Sequence, residues 1–335
     1  MMREKIAVQS RPYDEQYLLE IVNLLNAAQA AINGKPMTNE EEFKAEMQSP
    51  GFNPATDARL FFDSQDRLVG YAEFWDRGQP HVRLFCFGAV HPDVWGYGIG
   101  TMIVQWVEHR AMDSLPLAPE DAQVVIHSNV HGQNERARRL YQKLGYQAVR
   151  TFYRMRIDFD QPPQKPIVPA GFKIRPIQNE ADLRLAIFAD FDSFKDHWGF
   201  IQEGDDFESF YHRLSHYLKN DPFVDLNRSF LAMDGDEVAG VCINSIGRVE
   251  DDRQGWVNIL GVRRPWRKRG LGLALLLTSF NMFYSLGMTS AGLGVDSANL
   301  TGALRLYEQA GMRAEEYFYT FEKEIRPGRC LFNRG

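Results

Sequence analysis

The chain repeats one order of structural patterns. Each half starts with an extended segment, two helical patterns and two short strand patterns, followed by an apolar strand that runs into a glycine stretch. A helix, a strand, a second helix and closing strand segments complete the half. The glycine stretches read "HPDVWGYGIG" at 91–100 and "RRPWRKRGLG" at 263–272. This repetition predicts an α/β fold with mixed α+β sheets, built from two copies of one domain.

The composition changes near the middle of the chain. The stretch "DQPPQKPIVPA" at 160–170 carries four prolines, which cannot sustain a helix and fit poorly in a sheet. We therefore expect an N-terminal domain over 1–160, a linker over 161–170 and a C-terminal domain over 171–335. A chain of 335 residues suits two domains, because single cores stop growing at about 250–300 residues.

Charge and composition argue against several classes of protein. The net charge of −6 disfavours a general nucleic-acid binder. No apolar run reaches the ~20 residues that cross a bilayer, and the first residues lack a signal-peptide core. We therefore expect a cytoplasmic protein without a membrane partner. Cys86, Cys242 and Cys330 form no CxxC or Cys/His cluster, so we expect no metal.

A strand that leads through a glycine turn into a helix is a typical anion site. The first N–H groups of a helix have no partner inside it, and its dipole is positive at that end. In the second copy the turn is also basic, with Arg267, Lys268 and Arg269 directly before Gly270. It lacks the Lys-Ser/Thr of a Walker loop and the third glycine of a dinucleotide fingerprint. We therefore predict a ligand with several phosphates at this turn.

A second motif follows each glycine stretch. The segments "SNVHGQNERARRLYQKLGY" at 128–146 and "VDSANLTGALRLYEQAGM" at 295–312 each carry an Asn at a predicted helix entrance, a Leu-Tyr pair and a helix-ending glycine. Together with Arg-x-x-Gly-x-Gly after a strand, this pattern resembles the GNAT N-acetyltransferase superfamily. The resemblance covers nearly the whole chain, twice. The tandem layout is similar to that of mycothiol synthase, in architecture only.

The resemblance implies acetyl-CoA as the co-substrate, without a metal. Its pyrophosphate would lie on the glycine turn, and its pantetheine arm would bind backbone groups near Leu260 and Val262. Asn299 would contact the cofactor, and Tyr307 of the Leu-Tyr pair would protonate the departing thiolate. The turn residues assigned to the cofactor are Arg267, Lys268, Arg269, Gly270, Leu271 and Gly272.

The sequence leaves the general base open. Glu250, Asp251 and Asp252 precede the strand "WVNIL", and they are either a base for the acceptor amine or a solvated acidic loop. Of these three, we assign Glu250 to catalysis. His197, next to Trp198, lies where GNAT relatives place the acceptor-binding loop, and it is either a base or a surface residue.

The first copy departs from the pattern at its turn. Trp95 stands where the second copy has Arg267, and the run "VWGYGIG" carries no basic side chain. Three outcomes stay open for this copy: weak binding of acetyl-CoA, structural binding, or a true second site. We expect catalysis in the second copy. The residues assigned to cofactor contacts in the first copy are Val90, Gly96, Gly98, Gly100, Asn134 and Tyr141.

The predicted function is transfer of an acetyl group from acetyl-CoA to a primary amine of a small molecule or peptide, by direct attack on the thioester. The alternatives are a non-catalytic acyl-CoA-binding or sensing protein, and an interaction scaffold built on degenerate domains. A nucleic-acid role for the basic run is disfavoured, because the run has little aromatic interleaving. We expect a monomer or a homodimer.

Overall fold

The structure, a computed structural model, describes residues 6–201, 206–299 and 302–334. The chain divides into two compact units. Unit 1 comprises Met1–Arg150 with Phe318–Leu331, and unit 2 comprises Thr151–Tyr317 with Phe332–Gly335.

Unit 1 has helices on both faces of a mixed sheet. Its elements are β1 (Val8–Pro12), α1 (Leu18–Asn33), α2 (Glu40–Met47), α3 (Pro54–Asp57), β2 (Ala58–Asp63), β3 (Leu68–Asp76), β4 (Arg83–Val90), α4 (Ile99–Ala111), β5 (Val124–His131), α5 (Glu135–Lys143) and the start of β6 (Gln147–Asp158). Successive strand residues face opposite sides, so Phe62 packs with α1 and α2 while Phe61 packs with α4. Both rings are buried, which gives the sheet a core on each face.

The sheet of unit 1 contains one parallel pair of strands. Its order is β1-β2-β3-β4-β5, with neighbours antiparallel except β4 and β5. This pair is in register from Arg83/Val125 to Cys86/Ser128, and β4 then continues to Val90 without pairing to β5. The two strands therefore separate at their carboxyl ends.

Unit 2 repeats this arrangement. Its elements after β6 are β7 (Phe172–Pro176), α6 (Glu180–Ser193), α7 (Phe207–Asn220), β8 (Phe230–Asp234), β9 (Glu237–Ile246), β10 (Gln254–Val262), α8 (Leu271–Ser285), β11 (Ser290–Asp296), α9 (Ala303–Gln309) and the start of β12 (Arg313–Arg326). Its sheet order is β7-β8-β9-β10-β11-β6. α8 packs on one face with Leu275 and Phe280, and α6 packs on the other with Leu183 and Ile187.

The parallel strands β10 and β11 pair only from Gln254/Ser290 to Val257/Leu293. Beyond that point β10 stays paired with β9, with a bulge at Asn258. The bulge resets the alternation of side chains, so Leu260 packs on the α8 side while Ile259 packs on the α6 side. We call the space between residues 258–262 and 294–296 the strand gap.

The closing strand of each sequence half belongs to the unit built mainly from the other half. Phe318–Arg326 of β12 pairs antiparallel with β5 in unit 1, and Phe152–Asp158 of β6 pairs antiparallel with β11 in unit 2. Side chains hold these pairings. Thr320 donates to Asn129 over 2.7 Å in unit 1, and Met155 is buried in the α8 cluster of unit 2. The sequence had predicted that each half closes on itself, and these non-local pairings differ from that expectation.

The predicted α/β class with mixed sheets is confirmed. The boundaries at 160 and 171 stay a prediction, since the grouping into units follows the exchanged strands instead. The proline-rich stretch lies in unit 2 and follows the outer side of α8. Phe159 contacts Phe280 edge to face at 5.8 Å, and the carbonyl of Gln164 accepts a 2.7 Å hydrogen bond from Asn281.

We expect Gly255→Ala to lower the free energy of unfolding. A Cβ at Gly255 would lie 2.4 Å from Cγ of Phe283, a fully buried ring of α8, so the ring or the strand must shift. Overpacking of this kind costs about 1–3 kcal/mol. Gly294→Ala on β11 is the matched control, because a Cβ there meets nothing within 4 Å. Denaturant unfolding of both variants measures the difference, and equal stabilities would contradict the packing of α8 on β10.

Candidate functional site

The strand gap of unit 2 exposes backbone groups of β10. The N–H of Arg263 bonds the carbonyl of Ala239 on β9 over 2.9 Å. Because backbone groups alternate along a strand, those of Leu260 and Val262 point the other way, into the gap. The structure therefore brings the backbone of both predicted residues to one place. Their contact with a pantetheine arm stays a prediction.

In the turn after β10, two residues have a left-handed backbone conformation, with one residue between them. Lys268 has φ +60° and Gly270 has φ +85°. The equivalent residues of unit 1, Gly96 and Gly98, have φ +91° and +93°. Turns with such residues direct successive N–H groups into a concavity that binds anions. A lysine in this conformation is strained, which indicates that the turn itself is required.

Arg267 is held by the protein's own groups. Its guanidinium bonds the carboxylate of Asp196 through two nitrogens, at 2.5 and 3.1 Å. It also donates to the carbonyls of Ser193, at 2.6 Å, and Val262, at 3.1 Å. Four of the five N–H donors of an arginine are thereby used. Arg267 therefore joins the turn to the loop after α6, and its predicted contact with phosphate is not needed to explain its presence.

Trp95 makes the corresponding contact in unit 1. Its indole N–H donates to the carbonyl of Val90 over 2.8 Å, just as Nε of Arg267 donates to the carbonyl of Val262. In both units this carbonyl belongs to the last residue of the strand before the turn. The two side chains are thus alternative ways to fix one turn. The change to tryptophan does not remove a free charge from the site.

Intramolecular acids neutralise much of the basic run. Arg263 pairs with Asp192 at 2.8 Å, and Arg264 shares Asp196 with Arg267 at 3.3 Å. Arg269 lies over the ring of Phe172, with its guanidinium carbon 4.5 Å from the ring centre. Lys268 is exposed and has no ion-pair partner among the described residues. Lys268 and Arg269 therefore carry the positive charge that remains for a ligand.

The residues that follow Gly270 begin α8 and fix its position. Leu271 is buried in the α8 cluster. At Gly272 a Cβ would lie 2.9 Å from Cδ1 of Leu306 on α9. Gly100 of unit 1 has the same relation to Leu140, also at 2.9 Å. Gly272 therefore lets α8 approach the helix that carries Tyr307, and cofactor contacts of Leu271 and Gly272 stay predictions.

The two tyrosines of the Leu-Tyr pairs differ in their hydrogen bonds. The hydroxyl of Tyr141 is 2.7 Å from Oγ of Ser128 and 4.0 Å from Sγ of Cys86. The hydroxyl of Tyr307 has no hydrogen-bond partner in the described part of the chain. Burial raises the pKa of Tyr307, and the nearby Cys242 thiol adds to the effect. Tyr307 therefore keeps its proton at neutral pH and has it available for a ligand.

The strand register explains this difference. Cys86 and Ser128 are the last pair of β4 and β5, and Val257 and Leu293 are the last pair of β10 and β11. The second unit thus has two apolar side chains where the first has a thiol and a hydroxyl. The sequence analysis assigned Tyr307 to catalysis and Tyr141 to a cofactor contact, but the difference in their hydrogen bonds is visible only when the strands of the two units are aligned.

The two predicted asparagines lie in different surroundings. Asn134 caps α5, and its side-chain oxygen accepts a 3.0 Å hydrogen bond from the N–H of Ala137. Asn299 is not the cap of α9, because that helix begins after Gly302. The expectation that both asparagines stand at helix entrances is therefore wrong for Asn299, since the second copy has a longer connection there. Residues 300–301 lie outside the described part of the chain.

Glu250 is held between two arginines. One carboxylate oxygen is 3.0 Å from Arg154, and the other is 2.9 Å from Arg248. Burial raises the pKa of Glu250, but the two guanidinium groups outweigh it and the pKa is lowered. A carboxylate with both oxygens paired is a poor proton acceptor. Its neighbour Asp251 is half-buried and Asp252 is exposed. The catalytic assignment of Glu250 stays a prediction that this geometry does not favour.

The sheet face opposite α8 is open at the strand gap of unit 2. Gly292 and Gly294 of β11 lie on this face. The ring of Trp256 covers Gly292, whereas Gly294 is exposed and a Cβ there would meet nothing within 4 Å. The equivalent residues of unit 1 are His127 and Asn129. His127 is fully buried and pairs with Glu322 at 2.7 Å. The two units therefore differ at the second position, which is empty at Gly294 in unit 2 and is occupied in unit 1 by Asn129, bonded to Thr320.

Two further expectations concern metals and membranes. Within the described ranges, His, Cys, Asp and Glu side chains form no group of three or more that could hold a metal ion. Among those residues, helices long and apolar enough to cross a membrane are also absent.

A gap between parallel strands, a turn with two left-handed residues and a buried, protonated tyrosine fit a group-transfer enzyme whose co-substrate carries phosphates. A family model described as "Acetyltransferase (GNAT) family" matches residues 21–146 and 192–312. The chain therefore belongs to the GNAT acetyltransferase family, as the two copies of the motif predicted.

Similar proteins support this membership over nearly the whole chain. A crystal structure of a GCN5-related N-acetyltransferase from Sphaerobacter thermophilus has 32% identity and a TM-score of 0.78, covering 97% of this chain and 98% of that one. A mycothiol acetyltransferase from Streptomyces scabiei is 28% identical over 311 residues, 91% of this chain and 89% of that protein. A tandem GNAT protein from the clavulanic acid biosynthesis pathway has a TM-score of 0.71 at 15% identity, covering 96% of this chain and all of that one, and shows the shared fold. The predicted tandem GNAT fold and N-acetyltransferase class are confirmed.

Proposed function

We propose that unit 2 transfers an acetyl group from acetyl-CoA to a primary amine. The observation that carries this proposal is the hydroxyl of Tyr307 beside the strand gap, which has no hydrogen-bond partner among the described residues, in contrast to the bonded hydroxyl of Tyr141. Both tyrosines are buried. Within the described part of the chain, Tyr307 can offer its proton to a ligand without breaking an internal bond, whereas Tyr141 cannot.

The residues of unit 2 fit acetyl-CoA. The N–H groups of the turn at Lys268–Gly270 form a concavity for the pyrophosphate, and the exposed side chains of Lys268 and Arg269 add charge. The N–H of Leu260 or Val262 can bind the extended arm as a neighbouring strand would. The bound co-substrate supplies an acetyl group activated as a thioester. The cofactor contacts of Leu271, Gly272 and Asn299 remain predictions.

Tyr307 acts as the acid of the reaction. When the amine attacks, the thiolate must leave, and a proton on the sulfur makes it a better leaving group. Because burial raises the pKa of Tyr307, the hydroxyl is protonated throughout the physiological range. The water-poor surroundings of the ring also strengthen any hydrogen bond it makes.

For unit 1 we infer binding of acetyl-CoA without chemistry. Its turn has the same two left-handed residues, Gly96 and Gly98, and Trp95 fixes it as Arg267 does in unit 2. Val90 ends a strand that separates from its partner in the same way, and Gly100 allows the same helix approach. Tyr141 and Asn134 are engaged in intramolecular hydrogen bonds, so neither is free for catalysis.

A turnover assay tests the proposal. The protein is incubated with acetyl-CoA and a panel of primary amines, and both free CoA thiol and acetylated amine are measured. The names of the curated relatives make a mycothiol-related amine the first acceptor to test. We expect stoichiometric formation of the two products with at least one amine. Binding of acetyl-CoA without turnover on any amine would instead support the acyl-CoA-binding or sensing function.

A further inference from the structure

The proposed function requires that the acceptor amine lose a proton. An alkyl ammonium group has a pKa of about 10, so at neutral pH it must be deprotonated before it can attack a thioester. Glu250 has both oxygens paired with arginines. The base must therefore be another group that faces the open side of the strand gap.

His197 stands at this side of the gap. The ring of Phe194 covers Gly261, the residue between Leu260 and Val262, since a Cβ at Gly261 would lie 3.3 Å from Cε2 of Phe194. The imidazole of His197 packs edge to face on that ring, with 4.4 Å between the ring centres. One aromatic ring therefore separates His197 from the strand whose backbone lines the gap.

The loop that carries His197 is held from two directions. Arg267 bonds the carbonyl of Ser193 and the carboxylate of Asp196, the residue before the histidine. On the other side, Asn333 donates to the carbonyl of Lys195 and accepts from the N–H of Gly199, both at 2.8 Å. The imidazole thus has a defined position relative to the turn, which is what a catalytic group requires.

We propose that His197 is the general base that accepts the proton of the acceptor ammonium group. This assignment rests on the proposed acetyltransferase function of unit 2. The acceptor approaches over Gly294, which is exposed and lies on the face of the sheet that carries α6 and its loop. The loop after α1 in unit 1, "GKPM" at 34–37, carries no imidazole, in agreement with a first unit that binds without catalysing.

The proton balance of the step is complete. His197 takes one proton from R–NH₃⁺, and the lone pair of R–NH₂ forms the C–N bond to the thioester carbon. The C–S bond breaks, and the thiolate takes the proton of Tyr307. The nitrogen then loses a second proton, which passes through water to Tyr307 and restores its hydroxyl. His197 releases its own proton to solvent. The sum is an acetylated amine, CoA thiol and one proton.

Three charged groups act on His197. Burial lowers the pKa of His197, Asp196 on its own loop raises it, Arg267 on the turn lowers it, and Asp296 at the end of β11 raises it. The result is a pKa below the usual value for histidine. The imidazole is therefore neutral at pH 7 and able to accept a proton.

The test compares pH profiles of kcat for the wild type and His197→Gln, with the acceptor amine identified in the turnover assay. For the wild type we expect kcat to fall only at a pH below about 6.5, the usual pKa of histidine, because the pKa of His197 is lowered. For His197→Gln we expect this acidic limb to disappear and kcat at pH 7.5 to fall about 100-fold. The affinity for acetyl-CoA, measured by calorimetry, should change less than twofold. Imidazole added to His197→Ala should restore part of the rate.

Asp190→Asn is the control for a rival base. Asp190 is buried on α6, and burial raises its pKa to about 7, so its titration could imitate that of a histidine. We expect the acidic limb to persist in Asp190→Asn. Loss of the acidic limb in Asp190→Asn would overturn the assignment to His197, and so would an unchanged pH profile and rate in His197→Gln. Either result would leave the acetyltransferase function intact. Absence of turnover in the wild type would overturn both.

Discussion

Tyr307→Phe is expected to lower kcat about 100-fold or more, the usual size of a general-acid contribution, and to leave the affinity for acetyl-CoA unchanged. The hydroxyl of Tyr307 has no hydrogen-bond partner among the described residues, so its removal breaks no contact inside the protein there. We therefore expect no loss of stability. A rate effect can then be assigned to the missing proton, measured by CoA release under saturating substrates.

Tyr141→Phe is the matched control. This change removes the 2.7 Å hydrogen bond to Ser128, so we expect a loss of about 1 kcal/mol in stability and an unchanged kcat. The two variants thus predict opposite patterns of rate and stability. A rate defect in Tyr141→Phe with normal turnover in Tyr307→Phe would move catalysis to unit 1.

Arg267→Trp is expected to lower kcat about 10- to 100-fold, while the Kd for acetyl-CoA changes little. The indole can donate to the carbonyl of Val262 as Trp95 does to that of Val90, so the turn is kept. The ion pair to Asp196 and the bond to Ser193 are lost, and His197 loses its fixed position. Small displacements of a catalytic group cost rates of this size. Kinetics and calorimetry on the same sample measure the two effects separately.

A phosphate-binding role for Arg267 predicts the reverse. Loss of a charge-assisted bond to phosphate, worth about 1.5–3 kcal/mol, would weaken the binding of acetyl-CoA about 10- to 150-fold. Trp95→Arg in unit 1 is the control, because it should not alter turnover. Arg267→Ala provides a second measurement if the tryptophan is poorly accommodated, with the same expected separation of kcat from Kd.

The sequence allowed prediction of most features that depend on local pattern. The order of helices and strands, their duplication and the two glycine turns are encoded in periodicity and in residues such as Gly98 and Gly270, and the structure shows all of them. The exchange of β6 and β12 was not predictable in this way. Strand partners are chosen by contacts distant in sequence, such as Thr320 with Asn129.

The role of a site residue was harder to predict than its location. Arg267 and its basic neighbours lie at the predicted turn, but Asp192 and Asp196, which pair with them, come about seventy residues earlier. No local signal connects them. Likewise, Tyr141 and Tyr307 share one motif, and only the alignment of Ser128 with Leu293 across the two units shows which hydroxyl is free.

The most direct test of the account is a calorimetric titration with acetyl-CoA, combined with turnover, on the wild type, Gly270→Asp and Gly98→Asp. Each aspartate adds a negative charge to one anion-binding turn, at matched left-handed positions. We predict that the wild type binds two equivalents of acetyl-CoA. Gly270→Asp should bind one equivalent and lose turnover, whereas Gly98→Asp should bind one equivalent and retain turnover. Turnover that survives Gly270→Asp and disappears in Gly98→Asp, or no binding by the wild type, would contradict the assignment of catalysis to unit 2.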